Sequence, residues 1–188
     1  MNICVYCGSS AGTSEIIKRA AYQLGEELAK NGFGLVYGGA NVGLMGAVAD
    51  GSLSSGGQVY GVLPRELIKY EIVHKGLTEL QITDSMHERK SEMEKKADAF
   101  VTLPGAVGTW EEFFEQLTWG QIGIHCKKVY LLNIDSYYDL LIAFIKKSFA
   151  MGFTQQATMD NLYICNDVSR VIQLLVEQRR KGGIKKNN

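Results

Sequence analysis

Residues 103–118, LPGAVGTWEEFFEQLT, join the end of a strand to the start of a helix through a glycine-rich turn. The preceding run 99–103 (AFVTL) is short, apolar and partly β-branched, which is typical of a buried strand. Pro104 ends that strand because it has no amide proton to donate, and Gly105 and Gly108 allow backbone conformations that other residues avoid. The segment therefore predicts a strand, a tight turn and a helix in immediate succession.

The start of the helix is predicted at the far side of this turn. Thr109 is a favourable N-cap residue, and Glu112 three positions later completes a T-x-x-E capping box. The first amides of the helix and the positive end of its dipole would then face the glycine turn. Because such helix starts bind anions, the segment indicates a phosphate site.

The rest of the chain alternates short apolar runs with segments of helical periodicity, which is typical of a parallel sheet covered by helices. We therefore predict an α/β fold, a single-domain Rossmann-like parallel sheet with helices on both faces, over residues 1–180, and a frayed tail at 181–188. Predicted strands span 3–6, 33–37, 58–63, 99–103, 129–133 and 162–165, with 80–83 as a weaker edge candidate. Predicted helices span 14–31, 44–55, 85–97, 109–122, 137–150 and 168–180.

Three glycine- and serine-rich loops follow strands of this predicted sheet. They are CGSSAGT after the first strand, GGANVGLMG after the second and PGAVGT after the strand at 99–103. The carboxyl ends of parallel strands share one edge of a sheet, where ligands of open α/β sheets bind. Three such loops offer more backbone donors than packing requires, so they favour a ligand that carries phosphate.

These loops resemble those of a known family. The signature P-G-G-x-G-T-x-x-E of the LONELY GUY family, nucleotide phosphoribohydrolases formerly described as lysine decarboxylases, is matched by Pro104, Gly105, Gly108, Thr109 and Glu112. Residues 38–46 (GGANVGLMG) and 86–90 (MHERK) resemble the two other motifs of the family, in the same order. Ala106 is a departure, because the signature has its second glycine there.

The resemblance implies an enzyme that hydrolyses the N-glycosidic bond of a purine riboside 5′-monophosphate, of the cytokinin or adenosine type, to the free base and ribose 5-phosphate. It implies no cofactor and no metal, and Arg89 and Glu112 take the catalytic positions. The residues expected to bind substrate are Ser9, Gly39, Gly43, Glu66, Met86, Arg89, Lys90, Gly105, Ala106, Val107, Gly108, Thr109, Trp110, Glu111, Glu112 and Thr118. We also expect at least a homodimer, since the helix at 109–122 carries apolar residues on more than one face.

A second helix carries two of these residues. A capping box at Ser85 and Glu88 sets the helical phase, which places Arg89 and Lys90 on the same apolar stripe as Met86. Charges on such a stripe are costly unless they are paired. They could pair with acids of neighbouring elements or extend to solvent, whereas the resemblance implies that they contact ribose and phosphate.

Glu112 also has two interpretations. A capping glutamate needs no ligand, whereas a catalytic carboxylate would stabilise a positively charged ribosyl group or activate water. Glu111 and Glu115 are nearby acids, and spacing alone does not choose among the three. The family motif selects Glu112.

Composition narrows the class of partner. The chain has 188 residues, with 20 Lys and Arg against 20 Asp and Glu, and no basic stripe interleaved with aromatic residues. A nucleic-acid partner is therefore not expected. Since no apolar run approaches the roughly 20 residues of a membrane span, we expect a cytoplasmic protein whose partner is a small nucleoside 5′-monophosphate, with no membrane contact.

Other motifs are weaker. Cys4 and Cys7 form a C-x-x-C pair, which can bind zinc or exchange disulfides, but no second pair accompanies it, so we expect reduced structural thiols. Residues 8–12 match the G-x-S-x-G nucleophile elbow, yet the context of the three histidines marks none of them as a triad partner. Residues 39–46 lack the spacing of a dinucleotide or P-loop fingerprint.

Two other functions are compatible with the predicted fold. A non-catalytic carrier of a phosphorylated cofactor would use similar glycine loops. A pyridoxal-dependent lysine decarboxylase is the weaker alternative, because the chain is short for such an enzyme and no lysine lies in a recognisable Schiff-base setting.

Overall fold

The computed structural model describes residues 1–69 and 72–185. Its strands are β1 (Asn2–Tyr6), β2 (Gly34–Tyr37), β3 (Val59–Pro64), β4 (Glu79–Thr83), β5 (Ala99–Thr102), β6 (Lys128–Leu132) and β7 (Leu162–Cys165). Within the described residues they form one seven-stranded parallel sheet in the order β4-β3-β2-β1-β5-β6-β7. The predicted α/β fold is confirmed, and the weaker strand candidate is the edge strand β4.

The helices are α1 (Glu15–Lys30), α2 (Gly43–Ser54), α3 (Met86–Lys96), α4 (Val107–Gln121), α5 (Asp139–Ala150), α6 (Gln156–Asn161) and α7 (Val168–Lys185). Two short 3-10 turns, Arg65–Lys69 and Ile134–Ser136, follow β3 and β6. None of the helices in the described ranges has the length and apolar character that a membrane span requires.

Both faces of the sheet are buried under helices. Along β1, Ile3 and Val5 pack on the side of α1, α2 and α7, whereas Cys4 and Tyr6 pack on the side of α3, α4 and α5. This alternation follows from the two-residue period of a strand. A strand that is buried on both sides must be apolar throughout, which is why the strand signals in the sequence are continuous apolar runs.

Most element ends lie within one or two residues of the predicted ones. One prediction fails by more, because α7 continues to Lys185 instead of ending at residue 180. Glycine lowers helix propensity by about 1 kcal/mol without forbidding the conformation, so the helix passes through Gly182. The remainder of the predicted tail, 186–188, lies outside the described residues.

Helices α1 and α2 meet at a pair of glycines. A Cβ on Gly25 would overlap the carbonyl oxygen of Val48 and lie 2.7 Å from the amide nitrogen of Ser52. A Cβ on Gly51 would likewise overlap the carbonyl oxygen of Tyr22. Because the contacting atoms belong to the backbone, no side-chain rotation can make room for a Cβ. The contact therefore fixes the relative position of α1 and α2, the two helices that follow the first two glycine loops.

We predict that Gly51→Ala lowers the free energy of unfolding by about 1–3 kcal/mol, since overpacking forces the helices apart. Urea denaturation measures the change. Gly182→Ala is the matched control, because it adds the same methyl group to a helix where no atom beyond the nearby backbone of that helix lies within 4 Å in the described structure. That control should gain roughly 0.5–1 kcal/mol, and equal effects of the two substitutions would contradict the close-packing explanation.

Candidate active site

The loops after β1, β2 and β5 enclose a cavity of about 190 Å³ at the carboxyl edge of the sheet. They meet there because β1 pairs with β2 on one side and with β5 on the other. The sequence pattern predicts this convergence. The cavity is lined by Val5, Tyr6, Cys7, Gly8, Ser9, Gly38, Met45, Met86, Arg89, Met93, Ala106, Gly108, Thr109, Glu111 and Glu112.

Helix α4 begins two residues earlier than predicted. Val107 is its first residue, and Ala106 is the N-cap, with φ −100° and ψ −161°. The predicted capping box of Thr109 and Glu112 is therefore wrong, because both residues lie inside the helix and neither serves as its cap. In the described structure the N-cap makes no side-chain hydrogen bond, so the first amides of α4 are available to a ligand.

Hydrogen bonds to its backbone carbonyl groups hold the turn before α4 in place. The Tyr138 hydroxyl donates to the carbonyl oxygen of Leu103 at 2.8 Å, and the Tyr137 hydroxyl donates to that of Gly105 at 2.6 Å. Between them, the amide of Gly8 donates to the carbonyl oxygen of Pro104 at 3.1 Å. Three successive carbonyl groups are thus satisfied by protein donors, and the amides that follow them are left for an anion.

The sequence did not identify Tyr137 and Tyr138 as residues that hold this turn. They lie 32 and 35 residues from their acceptors, on the segment between β6 and α5. No local pattern marks them, because their role depends on the pairing of β6 with β5.

Glycine is required at position 105 because neighbouring atoms approach its Cα too closely for a side chain. A Cβ at this position would overlap the Thr109 hydroxyl and lie 2.9 Å from the amide nitrogen of Gly8. The loops after β1 and β5 therefore touch through backbone atoms. Ala106, by contrast, has negative φ and is exposed, so its methyl group fits without strain where the family signature has glycine.

Helix α3 presents Arg89 to the cavity. Its N-cap Ser85 accepts a hydrogen bond from the Glu88 amide at 3.1 Å, which confirms the predicted helix start. The Glu88 carboxylate reaches back to the amide of Asp84, at 2.7 Å, instead of to Ser85. This start sets the helical phase that turns Arg89 toward the sheet.

Arg89 and Glu112 form an ion pair at the wall of the cavity. Arg89 Nη1 lies 3.6 Å from Glu112 Oε1, and Arg89 Nε donates to the carbonyl oxygen of Val62 at 3.2 Å. Each of the two residues is only 8% exposed. Gly38 provides room for the guanidinium, since a Cβ there would overlap it.

Burial raises the pKa of the Glu112 carboxyl to about 7, from its ordinary 4.5. The Arg89 guanidinium opposes this effect, and the nearby Glu111 carboxylate adds to it. A carboxyl whose pKa is higher in the fold than in the unfolded chain reduces stability as pH rises from about 4.5 to about 7, and the loss is complete above that range. Glu112 thus lowers stability at neutral pH, and a perturbed pKa in a cavity marks it as a candidate functional residue.

Lys90 differs from its neighbour Arg89. It is 6% exposed, and its Nζ lies 2.5 Å from Glu111 Oε1 and 2.8 Å from Glu115 Oε1. It is absent from the residues that line the cavity in the described structure. Of the two interpretations of this cation, the structure shows the pairing with neighbouring acids.

The structure brings together some of the predicted substrate residues and separates others. Ser9, Met86, Arg89, Ala106, Gly108, Thr109, Glu111 and Glu112 line the cavity. Gly39, Gly43, Lys90, Gly105, Val107 and Trp110 lie in the same motifs but not on its wall. Glu66 is exposed on a 3-10 turn, and Thr118 is exposed on α4, where its hydroxyl donates to the carbonyl oxygen of Phe114.

Several apolar or small residues of the wall were not predicted, among them Cys7, Met45 and Met93. Cys4 and Cys7 are buried and free, and burial raises the pKa of both thiols, so they are protonated and unreactive at neutral pH. Among the described residues, no histidine and no lysine line the cavity. The wall therefore offers neither a triad histidine nor a Schiff-base lysine.

The chain is similar to known proteins. A family model described as "Possible lysine decarboxylase" matches residues 45–175. The "Probable cytokinin riboside 5′-monophosphate phosphoribohydrolase" of Oryza sativa subsp. japonica is 51% identical over 151 residues, which cover 80% of this chain and 68% of the relative. The cytokinin riboside 5′-monophosphate phosphoribohydrolase of Rhodococcoides fascians is 42% identical over 172 residues, which cover 91% of this chain and 87% of the relative.

The fold also occurs in solved structures. The molybdenum cofactor binding protein from the phototrophic bacterium Rippkaea orientalis superposes with a TM-score of 0.72 at 23% identity, over 94% of this chain and 95% of that one. At this identity the likeness shows the fold alone.

We predict opposite outcomes for two neighbouring loop substitutions. Gly105→Ala should weaken binding of inorganic phosphate about tenfold, because the new methyl group displaces the turn in front of α4. Ala106→Gly should change the affinity by less than about twofold, since the alanine is unstrained. Titration of the two variants with phosphate, followed by NMR, measures both values. A marked gain in affinity for Ala106→Gly would show that the methyl group obstructs the anion.

Proposed function

Because this chain belongs to the LONELY GUY family of cytokinin riboside 5′-monophosphate phosphoribohydrolases, we propose that it hydrolyses the N-glycosidic bond of a purine riboside 5′-monophosphate. The products are the free base and ribose 5-phosphate. The observation that carries the proposal is the buried pair of Arg89 and Glu112 beside the uncapped start of α4. Cation, carboxylate and amide donors face one cavity, as an anionic sugar substrate requires.

In the proposed reaction the 5′-phosphate binds the first amides of α4, with the Arg89 guanidinium as countercharge. Bond breaking between the ribose and the base leaves positive charge on the ribosyl group, which the Glu112 carboxylate stabilises. Water then forms a bond to the same carbon and gives a proton to Glu112, which releases it to solvent, while the departing base takes up one proton from solvent. Water is the only co-substrate, so this chemistry calls for no cofactor.

A carrier function is the alternative of a different class. It is supported by fold likeness at 23% identity, whereas the phosphoribohydrolases reach 42–51% identity. A carrier also has no need for a buried carboxyl group whose pKa lies near neutrality. The hydrolase is therefore the better supported function.

The proposal is tested by incubating the purified protein with AMP and with isopentenyladenosine 5′-monophosphate and measuring release of free base by chromatography. We expect release from at least one of them, and much less from the corresponding nucleosides, which lack the phosphate. Glu112→Gln should reduce the rate by about 10²- to 10⁴-fold, because an amide neither accepts a proton from water nor offers negative charge. Binding of ribose 5-phosphate should persist, since α4 and Arg89 are unchanged.

The pH dependence gives a second readout for the same residue. The active form is the carboxylate, which is present above the Glu112 pKa of about 7, so kcat/KM should fall as pH drops below that value. A profile that is flat across this range, or near-normal turnover of Glu112→Gln, would exclude Glu112 as the catalytic acid or base. Glu111 and Glu115 would then be the acids to test.

We also propose a homodimer with α4 near the interface. Trp110 and Phe114 on α4 are each 39% exposed, and Ile122 and Ile124 beyond its end are more than half exposed. The family substrate position Thr118 lies on the same helix but outside the cavity. A second chain on this helix would cover its apolar side chains and bring Thr118 of one subunit toward the substrate of the other.

Light scattering at micromolar protein concentration should therefore give the mass of at least two chains. Phe114→Asp should shift the population toward monomer, because it places a charge in the proposed interface. Phe144→Asp is the matched control, since Phe144 is 63% exposed on a different helix, α5. A stable monomer in the unmodified protein would contradict the homodimer. Dissociation by Phe144→Asp but not by Phe114→Asp would place the interface away from α4.

A further inference from the structure

Two consecutive cations, Arg89 and Lys90, have different surroundings on α3. Arg89 lines the cavity, whereas Lys90 is buried between α3 and α4 and is absent from the cavity wall in the described structure. The Lys90 ammonium lies 2.5 Å from Glu111 Oε1 and 2.8 Å from Glu115 Oε1. Its donors are thus directed at two glutamates of α4, of which Glu111 also lines the cavity.

We propose that Lys90 is a positioning residue that joins α3 to α4 and thereby sets the distance between Arg89 and Glu112, without contact to the substrate. This role rests on the function proposed above. It differs from the role that family resemblance suggests, which is direct contact with ribose or phosphate.

The positions of Lys90 and its partners couple the two ion pairs. Lys90 follows Arg89 directly on α3, and its two partners lie one turn apart on α4, on either side of Glu112 in the sequence. Any movement of α4 relative to α3 would stretch both ion pairs of Lys90 and also alter the 3.6 Å separation of Arg89 and Glu112. The same bridge therefore fixes both pairs.

Removal of Lys90 would cost free energy, because Lys90 neutralises a partly buried carboxylate. The Glu115 side chain is 17% exposed, and its second oxygen, Oε2, is buried with no hydrogen-bond partner among the described residues. Without Lys90, this carboxylate would be buried without countercharge, a costly arrangement that α4 would relieve by moving outward. Glu111 is 52% exposed and depends less on the bridge.

Lys90 also affects the ionisation of Glu112. Glu111 and Glu115 raise its pKa, and Arg89 and Lys90 lower it. Loss of Lys90 should therefore raise the pKa of Glu112 further. The titratable or charged groups around Glu112 are Arg89 and Lys90 on α3, Glu111 and Glu115 on α4, and Cys4, Tyr6 and Cys7 on or next to β1.

The test compares catalysis with ligand affinity in Lys90→Gln. We expect kcat to fall about 10- to 100-fold, because a small displacement of Glu112 suffices for such a loss. The affinity for ribose 5-phosphate should stay within about twofold of the unmodified value, and the acid limb of the pH profile should move to higher pH. A loss of ribose 5-phosphate affinity of about tenfold or more would instead show direct contact and overturn the proposal.

A double variant separates the two roles further. Lys90→Gln combined with Glu115→Gln removes the uncompensated carboxylate, so it should recover part of the lost kcat and return the acid limb toward its original pH. A residue that contacts the substrate would show no such recovery. The double variant also retains a neutral hydrogen-bonding pair, which keeps the test available if Lys90→Gln alone does not fold.

Lys127→Gln is the matched control. Lys127 is a partly buried lysine that forms an ion pair with Glu94 of α3, and it does not line the cavity. Its replacement should leave kcat and the pH profile unchanged, and an equal loss in this control would contradict a specific role for Lys90. If the unmodified protein hydrolyses no nucleotide, the proposed function fails, but NMR titration of Glu112 in the same variants still tests whether Lys90 governs that carboxyl group.

Discussion

The central position of β1 is the constraint on which the site depends. Because β1 pairs with β2 on one side and β5 on the other, the three glycine-rich loops that follow these strands meet at one edge of the sheet. The paired glycines between α1 and α2 then hold the helices behind the first two loops in close contact. A ligand cavity follows from strand order before any catalytic side chain is considered.

The cavity contains a carboxyl group that the fold holds at a cost in stability. Glu112 is buried beside Arg89, and burial raises its pKa to about 7. A group selected only to stabilise the protein would not be placed there, since its ionisation near neutral pH opposes folding. The surrounding charges keep this cost within limits, because Arg89 and Lys90 offset Glu111 and Glu115.

The turn before α4 shows how distant residues shape a local feature. Tyr137, Tyr138 and Gly8 satisfy three successive carbonyl groups of the turn. Since those carbonyl groups already have donors, the turn leaves its following amides at the start of α4 for a negatively charged ligand. The segment after β6 therefore contributes to a turn for which the sequence pattern points only to the loops after β1, β2 and β5.

The sequence by itself determined the α/β fold and most of its strands and helices, although it did not predict the short helix α6, and resemblance to a family singled out Arg89 and Glu112. The fold follows from local periodicity and turn residues, and the two site residues follow from short motifs that resemble those of the family. Only the tertiary structure decided that α4 starts at Val107 without the predicted capping box, that Tyr137 and Tyr138 hold the turn, and that Lys90 faces two glutamates. The reason is physical: each of these depends on contacts between segments that sheet pairing and helix packing bring together, and no local pattern encodes them.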